Sequence, residues 1–307
     1  MMKFYSNSLP VTSFNIGLII TDFLQLTKFR LAISVVFSSL AGYLLAANKI
    51  ETQVLLGLFF GGFSMVGASN AFNQLIEKNK DSLMSRTQNR PLPGGRMSNI
   101  TAFTIATVLA FLGILILQYI NYKTALFGVL SVFLYACIYT PLKSVTSLAV
   151  FVGAFPGAIP FMLGWVAATG SFGIEPGILF MIQFFWQFPH FWAIGWMVDD
   201  EYKKAGFKML PTGSPDKTTA FLIVFYSLWT IIISILPYTR YSGDLNLSIQ
   251  AAIALILIGG YFLYFAFKLM HHKTKKAARN LMYASIVYIS FLQIIYVFDK
   301  WIYIWMN

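Results

Sequence analysis

The chain has 307 residues, 58% of them hydrophobic and 11% charged, with a net charge of +11. Soluble domains carry about 25% charged residues, so this composition excludes a soluble globular protein and points to a chain that crosses a membrane many times. The basic excess could suggest nucleic acid, but its placement along the chain follows membrane topology and argues against a nucleic-acid partner.

Residues 1–26, with Lys3 their only base, lack the charged start, short apolar core and small-residue cleavage site of a signal peptide. They are expected to form a cytoplasmic lead-in with an interfacial stretch from Phe14 to Leu26. A spanning helix needs about 20 apolar residues. On that criterion nine spans are expected, near 30–47, 53–73, 99–119, 124–142, 147–169, 174–198, 218–237, 248–268 and 281–304. With the N-terminus inside, four of the 22 Lys and Arg fall outside, namely Lys49, Lys123, Arg240 and Lys300. All the others lie in inside loops, so the positive-inside rule fixes the N-terminus in the cytoplasm and the C-terminus outside. The chain reads as one polytopic domain over 1–307. Cys137, the only cysteine, lies within a span, so it forms no internal disulfide and is expected to be a small packing residue.

Charge concentrates between Asn73 and Gly95. Asn73, Glu77 and Asp81 are four residues apart, which on a helix sets them within roughly 80° of one face and lets them offer oxygens to a hard cation. Arg86 and Arg90 follow, with forked donors suited to phosphate oxygens, although basic residues here also satisfy topology. Pro91, Pro93, Gly94 and Gly95 then turn the chain. A second acidic cluster, Asp199, Asp200 and Glu201, precedes Tyr202, Lys203 and Lys204 at the end of the sixth span. Two acidic clusters on one side suit Mg²⁺ shared with a diphosphate. Tyr139 and Lys143 form a YxxxK pair in a turn broken by Pro141, with Lys143 expected on the diphosphate and Tyr139 as its hydrogen-bonding or cation-stabilising neighbour.

Trp186, Gln187 and His190 fall in WQFPH inside the sixth span, where Pro189 is expected to kink the helix. An ionisable group at membrane depth is a functional candidate, and a neutral packing histidine is the alternative. His271 and His272, among lysines, read as interfacial charge facing anionic headgroups. The small residues Gly153, Ala154, Gly157, Ala158 and Gly164, on a span expected to be broken by Pro156 and Pro160, serve close helix packing or line a cavity for a flat or chain-like substrate.

Nearly the whole chain, from LTKFR at 26–30 through the last span, resembles the UbiA superfamily of membrane prenyltransferases, in particular its heme-farnesylating branch. The pattern appears as NxxxExxxDxxMxRTxxRPLxxG at 73–95, YTPLK with TSLAVFVGAFPGAIPFMLGW at 139–165, and WQFPHF with DDEYKKAGFKMLP at 186–211. The family has Asp where Glu77 stands here, and its Asp-Tyr pair appears as Glu201-Tyr202, with Asp200 one residue earlier.

The resemblance implies an all-α bundle of nine helices around a cytoplasm-facing cavity. It implies Mg²⁺ on Asn73, Glu77, Asp81 and either Asp200 or Glu201, and catalytic roles for Asn73, Glu77, Asp81, Tyr139, Lys143 and His190. It further implies substrate contacts from Arg86, Arg90, Trp186, Gln187, Tyr202 and Lys203. Farnesyl would pass from farnesyl diphosphate to the 2-vinyl group of heme B, with water added, giving heme O and diphosphate. His190 would orient or ligate the heme, or carry a proton. The partners implied are the lipid bilayer and, downstream, a heme A synthase or the terminal-oxidase assembly machinery. The absence of an Arg- and Ser-rich leader points to a bacterial or archaeal plasma membrane. Another aromatic prenyltransferase of this fold would keep the diphosphate site without needing WQFPHF. An ion-coupled transporter would show mid-membrane charge and internal repeats, which this sequence does not.

Overall fold

A computed structural model describes residues 16–306; Lys3 and the start of the interfacial stretch, including Phe14, lie outside the described residues. All regular structure among them is helical. A short amphipathic helix α1 (Ile16–Leu26) precedes the long helices α2 (Phe29–Ala46), α3 (Thr52–Asp81) and α4 (Asn99–Ile120). The next rod combines α5 (Tyr122–Phe133), a π-helical stretch Leu134–Tyr139 and the single turn α6 (Thr140–Leu142). Then come α7 (Ala149–Thr169), α8 (Ile174–Met197), the short α9 (Asp199–Lys204), α10 (Lys217–Ser234), α11 (Ile249–His272) and α12 (Lys275–Met306).

Eight of these rods are long and apolar enough to cross a membrane. The ninth long helix, α8, is diluted by Gln183, Trp186, Gln187, Pro189 and His190, the same residues that make it chemically interesting. Large apolar side chains such as Phe111, Leu257 and Phe221 stand exposed on the perimeter, an arrangement that is stable only with lipid as the outer solvent. Cys137 also faces outward, which corrects its expected packing role: the seam of its rod is taken by Ala136 and Tyr139 instead.

Packing joins neighbours in the chain, α3 with α4 and α7 with α8, and also distant helices, α7 with α2 and α8 with α10 and α12. The last helix returns to the first span. Lys300 Nζ donates to the carbonyls of Leu45 at 2.6 Å and Ala47 at 2.9 Å, and Trp301 Nε1 donates to that of Leu44 at 3.1 Å. These are carbonyls at the α2 C-terminus, where helical partners run out.

Helix α7 is the most buried rod and runs unbroken through both prolines, contrary to expectation. Pro160 has no N–H for the Pro156 carbonyl, and Ser131 Oγ donates to that carbonyl instead at 3.3 Å. Helix α8 likewise continues through Pro189. Where α2 crosses α7, a Cβ on Gly42 would fall on the Phe161 carbonyl and one on Gly164 on the Ser39 carbonyl, so the two backbones touch. Gly164→Ala should therefore cost roughly 2–3 kcal/mol through forced separation of these helices, read as a lowered thermal midpoint in detergent. Gly62→Ala, whose Cβ would meet only Val36 at 3.5 Å and Ser39 at 3.9 Å, should be close to neutral in the same measurement.

Candidate active site

The α3 face carrying Asn73, Glu77 and Asp81 is buried at one end of the bundle, and each of the three residues meets a cation from a different segment. Lys28 Nζ donates to Asn73 Oδ1 at 3.1 Å, Lys143 is ion-paired with Glu77, and Arg90 Nη1 reaches Asp81 Oδ2 at 2.7 Å. The other end of the Asn73 amide donates to Thr140 Oγ1 at 3.1 Å, and that hydroxyl donates to the Tyr135 carbonyl at 2.8 Å. The π-helical stretch just before Thr140 thus leads into the turn that meets α3.

Lys28 is brought there by the elbow between α1 and α2. Asn70 Nδ2 donates to the Thr27 carbonyl at 3.0 Å, and Gln74 Nε2 to those of Gln25 at 2.9 Å and Leu26 at 2.8 Å. These α3 side chains satisfy the end of α1 and hold Lys28 in the left-handed conformation, φ 49°, which a non-glycine residue adopts only under such constraint. The helix α1 is fixed further by Asp22, bonded to Arg96 Nη2 at 2.8 Å.

Lys143 sits between two rings, 5.0 Å from the centroids of Tyr139 and Phe207, so the YxxxK pair meets as a cation–π contact. Its carbonyl accepts from Lys208 N at 2.7 Å, which lays the loop after α9 over the site. Lys80, bonded to Ser144, stands over the same Phe207 ring at 5.3 Å.

The second acidic cluster is dispersed. Glu201 accepts from Ser85 and, at 3.4 Å, from the Arg86 amide, so it faces the loop after α3. Asp200 is exposed and paired with Lys275 Nζ at 2.5 Å, and Asp199 is paired with Lys203 Nζ at 2.6 Å. Among the described residues no three acidic, His or Cys side chains gather closely enough to hold a metal by themselves. The structure thus gives Asp200 and Lys203 other partners and leaves Glu201 as the member of the second cluster nearest the first. Burial lifts the Tyr202 phenol above its ordinary range, Glu77 adding to the shift and Arg86 and Arg90 opposing it.

Burial is also the main cause that lowers the Lys143 ammonium, against the attraction of Glu77. Burial pushes Lys28 down to about 7, with the positive charges of Arg90 and Lys143 adding to it. Lys28 is the site residue that the sequence does not single out: by topology it is one inside base among many, although LTKFR belongs to the matching motifs.

Deeper along α8, Trp186 Nε1 donates to the Ser285 carbonyl at 2.7 Å and its ring stacks on His190 at 4.7 Å. His190 Nδ1 lies 2.8 Å from Ser285 Oγ. Gln187 is buried and donates to the Ala154 carbonyl at 2.9 Å, its amide lying over Gly157, so the structure gives it the work of fastening α8 to α7.

With this geometry in place the chain can be set beside known proteins. Residues 35–292 match the model of the UbiA prenyltransferase family. The chain belongs to the UbiA prenyltransferase family. Among curated UbiA relatives it is similar to the protoheme IX farnesyltransferase of Flavobacterium psychrophilum, 61% identical over 92% of this chain and 96% of the relative. The protein of that name from Flavobacterium johnsoniae is 56% identical over 98% and 100%. Two solved structures share the UbiA fold: a digeranylgeranylglyceryl phosphate synthase (TM-score 0.75, 20% identity, 91% and 98% covered) and a UbiA homolog from Archaeoglobus fulgidus bound to DMAPP and Mg²⁺ (0.64, 16%, 90% and 99%). The fold is thus an all-α, multi-pass prenyltransferase bundle.

The lowered Lys28 makes a stability prediction. Above about pH 7 the folded chain holds Lys28 neutral while the unfolded chain keeps it protonated up to its ordinary value near 10.5, so the unfolded state binds more protons and stability rises with pH across that window. Lys28→Met should melt several degrees higher than wild type at pH 6, below the folded-state value, where the charge is largely present, and show a flatter rise toward pH 10 by scanning calorimetry.

Proposed function

We propose that this chain is a protoheme IX farnesyltransferase, moving the farnesyl group of farnesyl diphosphate onto the 2-vinyl group of heme B, with water added, to give heme O and diphosphate. The observation that carries the reading is the α3 ladder of Asn73, Glu77 and Asp81, answered one for one by Lys28, Lys143 and Arg90. Relatives of that name at 56–61% identity over nearly the full chain support the acceptor and donor.

The donor set of the ladder is made of hard oxygens on one helix face, which suits Mg²⁺ completed by substrate phosphate oxygens. Asn73, Glu77 and Asp81 would hold the ion, with Glu201 the candidate from the second cluster. Mg²⁺, when bound, neutralises diphosphate charge and makes it a better leaving group. Lys28, Lys143 and Arg90 give up carboxylate and amide partners for phosphate oxygens, and Arg86 adds a forked donor from the covering loop. As the carbon–oxygen bond of the donor breaks, the developing allylic cation lies near Tyr139, whose ring already faces a cation. The vinyl carbon of the acceptor then forms the new bond as diphosphate departs, and the cation left on the adjacent vinyl carbon takes up water and loses a proton.

An apolar cleft lined by Val36, Gly62, Met65, Ser69, Leu117 and Ile159 runs along α3, and Ser69 is one turn from Asn73. It is narrow as it stands, and it would widen to take an isoprenoid tail whose diphosphate end lies at the ladder. The Lys and Arg distribution supports a cytoplasmic mouth, a cytoplasmic N-terminus and an outside C-terminus.

Membranes holding the protein, given heme B, farnesyl diphosphate and Mg²⁺, should form heme O, detected by chromatography and mass. Asp81→Asn, which keeps the shape and removes the charge, should lower the rate about 10²-fold or more, and omission of metal should abolish it. Wild type that forms no heme O yet releases diphosphate onto another aromatic acceptor would refute the acceptor. In the cleft, Gly62→Phe adds a ring beside Val36 and Ser39 and narrows the space available to the tail. Losing burial of one five-carbon unit, at roughly 0.8 kcal/mol per methylene, is about 4 kcal/mol at full loss, so KM for farnesyl diphosphate should rise by between about tenfold and about 10³-fold while geranyl diphosphate is spared.

A further inference from the structure

Lys80 stands three residues after Glu77 and one before Asp81 on α3, yet among the described residues no carboxylate answers it. Its ammonium is held instead by a neutral hydroxyl, that of Ser144, and by the face of the Phe207 ring. Ser144 follows Lys143, so the two segments exchange lysines: the turn after α6 sends Lys143 to Glu77, and α3 sends Lys80 back to the turn. Phe207 receives both, with Lys80 at 5.3 Å and Lys143 at 5.0 Å from its centroid. A half-buried ammonium held only by neutral groups is poorly compensated, and phosphate oxygens would hold it more strongly than a ring does.

Phe207 has somewhere to go. It begins the strap between Gly206, φ 72°, and Gly213, φ 82°, left-handed conformations that favour glycine. The strap is tied down by Lys208, whose backbone N–H donates to the Lys143 carbonyl at 2.7 Å and whose Nζ donates to that of Val145 at 3.1 Å. Phe207 also borders a cavity of about 330 Å³, which it shares with Gly195, Tyr202 and Leu210. An apolar cavity of about 150 Å³ holds a benzene molecule, so this one has room for a displaced phenyl ring.

We propose that Lys80 is a further diphosphate-binding residue, and that Phe207 is the positioning residue that holds it back until the diphosphate arrives. This rests on the prenyl-diphosphate reading above. When the anion reaches the ladder, Lys80 and Lys143 exchange the ring for phosphate oxygens, and the ring turns into the adjoining cavity. The ring thus competes with substrate for two ammoniums.

The test is binding of inorganic diphosphate with Mg²⁺ to the purified full-length protein by titration calorimetry, beside steady-state product formation. Lys80→Gln, which keeps a donor for the Ser144 hydroxyl, should weaken diphosphate binding and raise KM for the prenyl donor about tenfold, with KM for the acceptor unchanged. Lys80→Arg should recover most of the loss. Phe207→Leu, which keeps apolar bulk and removes the ring, should tighten diphosphate binding about threefold to tenfold, a gain that loss of structure would not produce. Combined with Lys80→Gln, that gain should fall to about twofold to threefold, because only Lys143 is left to be released. Thermal midpoints without ligand report the integrity of each variant, and Phe207→Met replaces Phe207→Leu if the latter does not fold. Lys80→Gln that binds diphosphate as wild type does overturns the role of Lys80 and leaves the reaction standing. Binding no tighter without the ring, or a double variant that keeps the full gain, overturns the holding role of Phe207. Wild type that neither binds inorganic diphosphate nor turns over a prenyl diphosphate overturns this proposal and the diphosphate site together.

Discussion

Charge cannot be left alone in the low dielectric of a membrane protein, and the site is built around that constraint. Leaving one member of a buried pair without its partner costs about 3–5 kcal/mol. The two carboxylates of the α3 ladder therefore have to be answered, by Lys143 from the turn after α6 and Arg90 from the loop after α3, while Lys28 from the α1–α2 elbow bonds the neutral Asn73. Electrostatic necessity thus ties together parts of the chain that apolar packing alone would leave free. In the proposed reaction the same three cations meet a polyanion, so one set of groups serves both to close the ligand-free mouth and to receive substrate.

Packing within the bundle obeys a different rule. Lipid tails are as apolar as leucine, so helices gain little by hiding apolar surface from one another and rely on close contact and shared hydrogen bonds. Helix α7 shows both. Gly42 and Gly164 let its backbone touch α2, Gly157 receives the Gln187 amide, and Gly153 lies against the Tyr139 ring. The last of these contacts couples bundle packing to the site, because the ring that presses on α7 is the one facing Lys143.

The spans are legible in the sequence because an uncharged apolar run of about 20 residues matches the thickness of a bilayer and is seldom needed in a water-soluble core. The nine rods fall where those runs lie. The α3 ladder and the Tyr139–Lys143 pair are legible because their spacing is local and helical. What stays hidden depends on contacts distant in sequence. Lys28 reads as a topological base until Asn70 and Gln74 bend the elbow that aims it. Among Asp199, Asp200 and Glu201, only tertiary placement shows that Glu201 faces Ser85 while Asp200 turns to Lys275. The prolines of α7 suggest breaks, yet that helix runs on through both, and Ser131 on the neighbouring rod supplies a hydroxyl for the carbonyl freed at Pro156.

Helix α12 is the last to be made, and it reaches back to the first span. Its Lys300 and Trp301 close the end of α2, while its Ser285 grips the Trp186 and His190 pair of α8. A ribosome feeding this chain into a bilayer can release eight spans before the wall that holds the Trp186 and His190 pair is complete. Completion of the bundle then arrives as a late, single event of biogenesis, and a nascent chain stalled before residue 285 lacks the carbonyl and hydroxyl that hold that pair.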